Sequence, residues 1–330
     1  MGRRKFIRQT VAAGVAGALV LALAACAGSS GTSGAKSGGS AKIVMGFAQV
    51  GAESGWRTAN TISIQAAAKK AGVQLKFSDA QQKQENQIKA IRSYIQQKVS
   101  VIGFSPVVET GWDTVLKEAK DAGIPVILTD RAVDSKDTSL YVTFLGSDFV
   151  AEGKKAGDWT VKEFGDKPTN VVELQGTTGA APAIDRKAGF EKVIATKPNI
   201  KIIASQTGDF TRAGGKQVME AFLKSNPKID MVYAHNDDMG LGAIEAIEAA
   251  GKVPGKDIKI VTVDAVKDGL TALAAGKINF VVECNPHLGT QLMDIAKKVL
   301  DGKTVPKRIV TTETTFTQEQ AKAALPTRQY

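Results

Sequence analysis

The chain has 330 residues, too many for one small core and suited to two lobes of ordinary domain size. Apolar residues make up 43% and charged residues 23%, which disfavours a disordered chain, a polytopic membrane protein and a disulfide scaffold. The formal charge is +10, and removing Arg3, Arg4, Lys5 and Arg8 of the leader leaves +6, spread among acids with no run of like charges; a solvated basic surface is expected, not nucleic-acid binding.

Residues 1–26 read as a lipoprotein signal peptide. A basic stretch, Arg3 to Arg8, precedes an apolar segment from Val11 to Ala25 that is too short and Ala/Gly-rich to span a bilayer. It ends Leu23-Ala24-Ala25-Cys26, small residues before a cysteine whose thiol would take a diacylglycerol. The paired arginines leave general or twin-arginine export open. Residues 27–41, almost all Gly, Ser, Ala and Thr, read as a flexible tether that holds the fold off the outer face of the cytoplasmic membrane. With Cys26 lipidated, Cys284 has no intrachain partner and is expected to pack as a small apolar residue.

From Lys42 onward, short β-rich runs alternate with helical patterns. Strands are predicted at Lys42–Ala48, Val73–Ser78, Val99–Phe104 and Pro125–Thr129, with helices at Thr58–Ala71, Gln84–Gln97 and Trp112–Ala122. In the second helix Ile88, Ile91 and Ile95 repeat at helical spacing. Leu140–Leu145 reads as a linking strand. The pattern then restarts, with strands at Asn170–Leu174, Ile200–Ser205, Met231–Ala234, Ile258–Val263 and Phe280–Cys284. Helices fall at Val150–Phe164, Ala183–Thr196, Arg212–Lys224, Met239–Ala250, Val266–Ala275 and Leu288–Leu300. Two successive βα series predict an α/β protein of two Rossmann-like lobes, each with a parallel sheet covered on both faces.

Ligands in open α/β sheets bind beyond the carboxyl ends of the strands. The residues there are Gln49 to Arg57, Ser105-Pro106, Asp130-Arg131, Gln175 to Thr178, Asp209-Phe210, His235 to Asp238, and Asp264. Carboxylates, guanidiniums and amides stand at most of these ends, joined by Trp56 and Phe210. That is the inventory of a polyol site. Aspartate accepts from two hydroxyls, arginine forks to ring and hydroxyl oxygens, and an aromatic face takes the C–H surface of a sugar. Each residue has a plainer reading. An Asp after a strand is commonly a helix N-cap, and one of Asp237 and Asp238 is expected to be one.

Catalytic patterns are missing. His235 and His287 belong to no HExxH or His/Cys cluster. There is no GxSxG elbow, Gly214-Gly215-Lys216 is followed by Gln217 and makes no Walker A loop, and Gly240-Leu241-Gly242 lacks the third spaced glycine. No enzyme activity, cofactor or metal is expected.

Several longer runs carry a resemblance: QVGAESGWR (Gln49 to Arg57), DAQQKQENQIKAIRS (Asp79 to Ser93), PVVETGWDTVLKEAKDAGIPV (Pro106 to Val126), ELQGTTGAAPAIDRKAGF (Glu173 to Phe190), QTGDFTR (Gln206 to Arg212) and VYAHNDDM (Val232 to Met239). With them the chain resembles, over residues 42 to 310, the periplasmic sugar-binding proteins of ABC importers, of the ribose-binding type and nearest its galactofuranose subgroup. The resemblance implies a type I periplasmic binding fold with a three-crossing hinge, near Leu145, Cys284 and Pro306. Lobe one would be 42–145 plus 285–306, and lobe two 146–284 plus 307–330. It implies a monosaccharide ligand held by Glu53, Trp56, Arg57, Asp130 and Arg131 of lobe one and by Arg186, Phe210, Asn236 and Asp264 of lobe two. It also implies a monomer that hands its sugar to membrane permease subunits. Ribose, galactose or another sugar, and a chemosensory role, are the alternatives. A repressor of this fold would need a helix-turn-helix where the leader stands.

Overall fold

The computed structural model describes residues 42–330. The leader, the tether and Cys26 lie outside the described residues. Among the described residues, no helix is long and apolar enough to cross a membrane.

The first half builds one sheet. Strands β1 (Val44–Gln49), β2 (Gln74–Asp79), β3 (Val101–Phe104), β4 (Val126–Thr129) and β5 (Thr143–Gly146) alternate with helices α1 (Gly55–Ala71), α2 (Gln84–Gln96) and α3 (Asp113–Asp121). The second half repeats the plan. Helix α4 (Phe149–Phe164) is followed by β6 (Thr169–Gln175), α5 (Ala181–Ile194), β7 (Ile200–Thr207), α6 (Arg212–Ser225) and β8 (Met231–Ala234). Then come α7 (Asp237–Ala249), β9 (Lys259–Asp264), α8 (Lys267–Ala274) and β10 (Phe280–Glu283). The chain closes with α9 (Gly289–Leu300), β11 (Arg308–Val310), β12 (Thr315–Phe316) and α10 (Gln318–Ala324).

The sheets run β11-β5-β4-β3-β1-β2 and β12-β10-β9-β8-β6-β7. All pairings are parallel except β10 with β12. In each sheet the order reverses beside the first strand of its half, β1 or β6, and such a reversal opens a crevice at the carboxyl edge. Central strands are apolar on both faces, as buried parallel strands must be. In β1, Met45 and Phe47 enter one hydrophobic cluster with α1 and α9, while Ala48 enters the cluster on the opposite face. In β8, Val232 and Ala234 face one cluster while Met231 and Tyr233 face the other. Strand β7 lies at a sheet edge, and after the buried Ile200 its residues are half-buried or exposed.

The chain passes between sheets three times, at 147–148, at 284–288 and at 311–314. The third passage differs from the sequence expectation, which put it near Pro306 and assigned 307–310 to the second lobe. Strand β11 instead pairs with β5 in the first sheet, Arg308 opposite Phe144 and Val310 opposite Gly146. The Phe144 amide donates to the Lys307 carbonyl at 3.0 Å, and the Arg308 guanidinium lies 4.0 Å from the Phe144 ring centroid. A three-residue, half-exposed edge strand carries too little apolar pattern to announce itself. The expected linking strand Leu140–Leu145 splits into a 3-10 turn at Thr138–Leu140 and β5 proper. Strand β12 and helix α10 are additions that the sequence reading did not contain.

Candidate functional site

Between the two carboxyl edges lies a cleft with about 290 Å³ of non-atom space, part of it open to solvent. All nine candidate residues line it: Glu53, Trp56, Arg57, Asp130, Arg131, Arg186, Phe210, Asn236 and Asp264. Four further residues join them, Ser54, Phe149, Pro182 and Cys284.

On lobe one, the loop after β1 turns into α1. The Ser54 side chain accepts from the Arg57 amide, and this cap starts the helix with Trp56 and Arg57 on its first turn, facing the cavity. Arg57 is fully engaged. It donates to Glu53 Oε1 at 3.0 Å, to Gln49 Oε1 at 3.2 Å and to Asp130 Oδ2 at 2.7 Å. Burial disfavours its charge, but Asp130 and Glu53 overcome this and raise its pKa. Ser105 Oγ donates to the same Asp130 oxygen at 2.8 Å.

Arg131 is held less tightly. It donates to the Val107 carbonyl at 3.1 Å, and its nearest contact with Glu53 is 3.9 Å. Its Nε has no hydrogen-bond partner, nor does Glu53 Oε2, and both are buried. Burial and the cations Arg57 and Arg186 pull the Arg131 pKa down to about 10. Unpaired buried polar atoms are costly in a native protein, so these two point to a partner supplied from outside.

On lobe two, Arg186 donates to Glu152 Oε2 at 2.7 Å and to the His235 carbonyl, and it stands 3.7 Å from Asp264 Oδ1. Burial drives the Asp264 carboxyl well above the usual range, against the pull of Arg186. Asn236 caps α7, accepting from the Met239 amide at 3.0 Å and donating to the Phe210 carbonyl at 2.9 Å. That corrects the expectation that Asp237 or Asp238 is the cap. Asp237 accepts from Thr262 and the Val266 amide, and Asp238 accepts from the Gly55 amide across the cleft. Glycine makes room for the aromatic wall, since a Cβ on Gly176 would fall 1.8 Å from Phe210 Cζ.

Three of the nine residues hold left-handed backbone, with φ of 63° at Asp130, 62° at Phe210 and 121° at Asp264. Such conformations cost on the order of 1–3 kcal/mol each and concentrate where function requires them. Gly146 yields the space at Asp130, because a Cβ there would lie 2.6 Å from the Asp130 carbonyl oxygen.

The lobes touch across the cavity. The Gly55 amide donates to Asp238 Oδ2 at 2.8 Å, and the Glu109 amide donates to the Gly179 carbonyl at 2.9 Å. The Arg131 guanidinium lies 5.2 Å from the Phe210 ring centroid. Trp56 packs among the apolar residues of lobe two and donates its Nε1 to the Cys284 carbonyl at 2.7 Å.

Glu283, at the end of β10, stays outside the cavity and pairs with Arg328 at 2.8 Å. His235 is fully buried behind Arg186, 3.1 Å from Glu173. Phe149 was within reach of sequence reasoning, because it follows β5 as the other wall residues follow their strands. Cys284, directly after β10, was within the same reach, whereas Pro182, in the first turn of α5, has no hydrogen-bonding side chain to single it out.

A two-lobed fold with a polar cavity at facing sheet edges is the form of a binding protein. Residues 45–304 match the periplasmic binding protein domain, and the chain belongs to that family. It is 53% identical over 279 residues to the galactofuranose-binding protein YtfQ of Escherichia coli (strain K12), covering 84% of this chain and 88% of that one. Among solved structures, a Mycobacterium smegmatis protein in complex with β-D-fucofuranose is 67% identical with a TM-score of 0.86, covering 87% of this chain and 95% of that one. The periplasmic binding protein component of the arabinose ABC transporter of Shewanella sp. ANA-3, bound to α- and β-L-arabinofuranose, is 52% identical with a TM-score of 0.84; the match covers 87% of this chain and 96% of that one.

Proposed function

We propose that this chain is the extracytoplasmic receptor of a sugar ABC importer, lipid-anchored through Cys26, which takes one furanose into the cleft and delivers it to the permease. The observation that carries this reading is the meeting of all nine residues around one interlobe cleft, with Glu53 Oε2 and Arg131 Nε buried and unpartnered. Sugar hydroxyls both donate and accept, so one ring can satisfy a carboxylate and a guanidinium together. The relatives named with galactofuranose, fucofuranose and arabinofuranose share a five-membered ring and differ in the exocyclic carbons. Galactofuranose is favoured by the first of them and by the loop Glu53 to Arg57.

The binding cycle follows from the geometry. Sugar meets Glu53, Arg57, Asp130 and Arg131 on lobe one. Lobe two then brings Arg186, Asn236 and Asp264 over it, while Trp56 and Phe210 cover its C–H surfaces. A ligand drives closure only by binding the closed state better, and contact with both lobes supplies that difference. The permease would read the closed form, and a monomer suffices for this. Isothermal titration of the purified protein with D-galactose, L-arabinose, D-fucose and D-ribose tests the reading. Saturable heats with at least one of the first three support it, and silence for all four overturns it.

A further inference from the structure

The three passages between the lobes meet at one carboxylate. Glu313 Oε1, on the third passage, accepts from Ser147 Oγ on the first, from the Asn285 amide on the second at 3.0 Å, and from neighbouring Thr311 Oγ1 at 2.8 Å. Facing it is Glu152, buried in the first turn of α4. Glu152 Oε2 accepts from Arg186, whereas Oε1 is buried with no hydrogen-bond partner. Ligand atoms of Glu152, Glu313 and Cys284 all lie within 4.8 Å of one another.

Two carboxylates this close, Glu152 buried and Glu313 half-buried, do not both ionise readily, and one proton between them removes the repulsion. The other groups acting on Glu152 are Arg186 from α5, Asp264 at the end of β9, Tyr233 of β8 and Cys284 of the second passage. Only Arg186 among these is cationic, and Asp264 shares it; on the Glu313 side stand Arg308 of β11, which attracts that carboxylate, and Lys155 of α4, whose ammonium donates to the Glu313 backbone carbonyl at 3.4 Å. Burial pushes the Glu152 carboxyl up to about 8, against Arg186 and with help from Glu313. A metal ion fits the same trio poorly, because the Arg186 guanidinium already stands 2.7 Å from Glu152.

We propose that Glu152 and Glu313 hold a single proton between them and that lobe closure takes this proton up. Hinge rotation moves the three passages against one another, and Glu313 binds donors on all three. The arrangement that sets Glu313 against Glu152 therefore belongs to the closed state. Glu152 in turn positions Arg186 at the cavity wall, so the proton and the ligand are coupled through one side chain. Coupling is reciprocal: closure favours protonation, and protonation favours closure. Affinity should fall as pH rises through the neutral range and level off above the closed-state pKa.

The ligand-linked half rests on the sugar-receptor reading. Titration of the wild type, Glu152→Gln and Glu313→Gln with D-galactose at pH 7, in buffers of different protonation enthalpy, measures proton uptake. The wild type should take up as much as one proton per sugar, and the variants close to none. A second readout is thermal. The melting temperature of the sugar-saturated wild-type protein, closed on its ligand, should decline between about pH 5 and pH 8, because a carboxyl raised by folding stabilises below its unfolded pKa and loses that contribution as pH rises to the folded one. Both variants should flatten this decline, and where Glu152→Gln does not fold, Glu313→Gln makes the comparison. Uptake equal in wild type and variants, or a melting profile that neither substitution changes, overturns the proposal. Absence of both effects in the wild type does so whatever the variants show. Where galactose fails to bind, L-arabinose or D-fucose replaces it in both readouts; silence for all three overturns the sugar reading and the ligand-linked proposal with it, whereas binding without differential proton uptake overturns the proton pair alone.

Discussion

The Gly55 amide donates to Asp238 Oδ2 at 2.8 Å, joining the first turn of α1 on lobe one to the first turn of α7 on lobe two. The bond crosses between the lobes, so opening the cleft would break it. Both partners suit it. Gly55 opens a helix whose early amides lack partners inside the helix, and Asp238 brings a carboxylate to that positive end. Arg212, 3.5 Å from the other Asp238 oxygen, holds the carboxylate in place.

Replacing Asp238 should therefore act on closure without touching the cavity wall, which it does not line. Hydrogen bonds to charged groups contribute about 1.5–3 kcal/mol. Asp238→Ala should weaken sugar binding by roughly tenfold or more, mainly by speeding dissociation, with heats of the same sign. Stopped-flow measurement of the off-rate checks this; an unchanged off-rate would mean that the contact carries no closure energy.

The walls themselves should be more sensitive. Arg131→Ala removes the less engaged guanidinium of lobe one, and Asp264→Ala removes a buried carboxyl of lobe two. Each should cost about one to two orders of magnitude in affinity on the same energetic scale, with little loss of folding. Calorimetry and thermal melting together separate the two effects. Normal affinity in both variants would remove these residues from the ligand set.

Trp56 reports on the hinge as well as the cavity. Its ring lines the cavity and its Nε1 donates to the Cys284 carbonyl on the second passage. Sugar binding should change the intrinsic fluorescence, and Trp56→Phe should abolish that change while Trp112 and Trp159 still emit. The same substitution leaves the Cys284 carbonyl without this donor, so affinity should also drop. A sugar-dependent signal that survives in Trp56→Phe places its source elsewhere.

The acid limit of stability should depend on Glu173. Burial alone would raise its pKa, but His235, Lys187 and Ser205 hydrogen-bond its carboxylate and hold it down at about 2. A depressed carboxyl stabilises above its unfolded pKa, here near 4.5, and loses that contribution as pH falls toward 2. Glu173→Gln should melt below the wild type at neutral pH and show a flatter decline between pH 4.5 and 2. Melting temperatures across that range decide it, with about 2–4 °C expected per kcal/mol in a fold of this size.

What the sequence revealed follows from where its signals are strong. The βα alternation was readable because central strands such as β1 and β8 are apolar on both faces and their helices carry caps and periodic stripes. Eight of the nine wall residues were readable because each stands between a strand end and the first turn of the next helix, where parallel sheets place ligands; Arg186, in the second turn of α5, was reached only through the family resemblance. The end of the chain was harder. Strand β11 has three residues and β12 two, and both are defined by partners distant in sequence. Helix α10 did have a local signal, the capping box of Thr317 and Gln320, which the reading passed over. The Asn236 cap was obscured by the two aspartates behind it, each of which takes a tertiary partner instead. The crossing near Cys284 came from the family resemblance, and no local pattern marks Glu313 as a hinge residue, because its donors come from all three passages.

The central claim is that the cleft holds a five-membered sugar ring. The most direct test is ¹³C NMR of [1-¹³C]D-galactose titrated with the purified protein, since the anomeric carbon resonates at different positions in furanose and pyranose rings. The account predicts a bound signal at the furanose position, enriched far beyond the small furanose fraction in free solution and lost in Arg131→Ala. A bound signal at the pyranose position would contradict it.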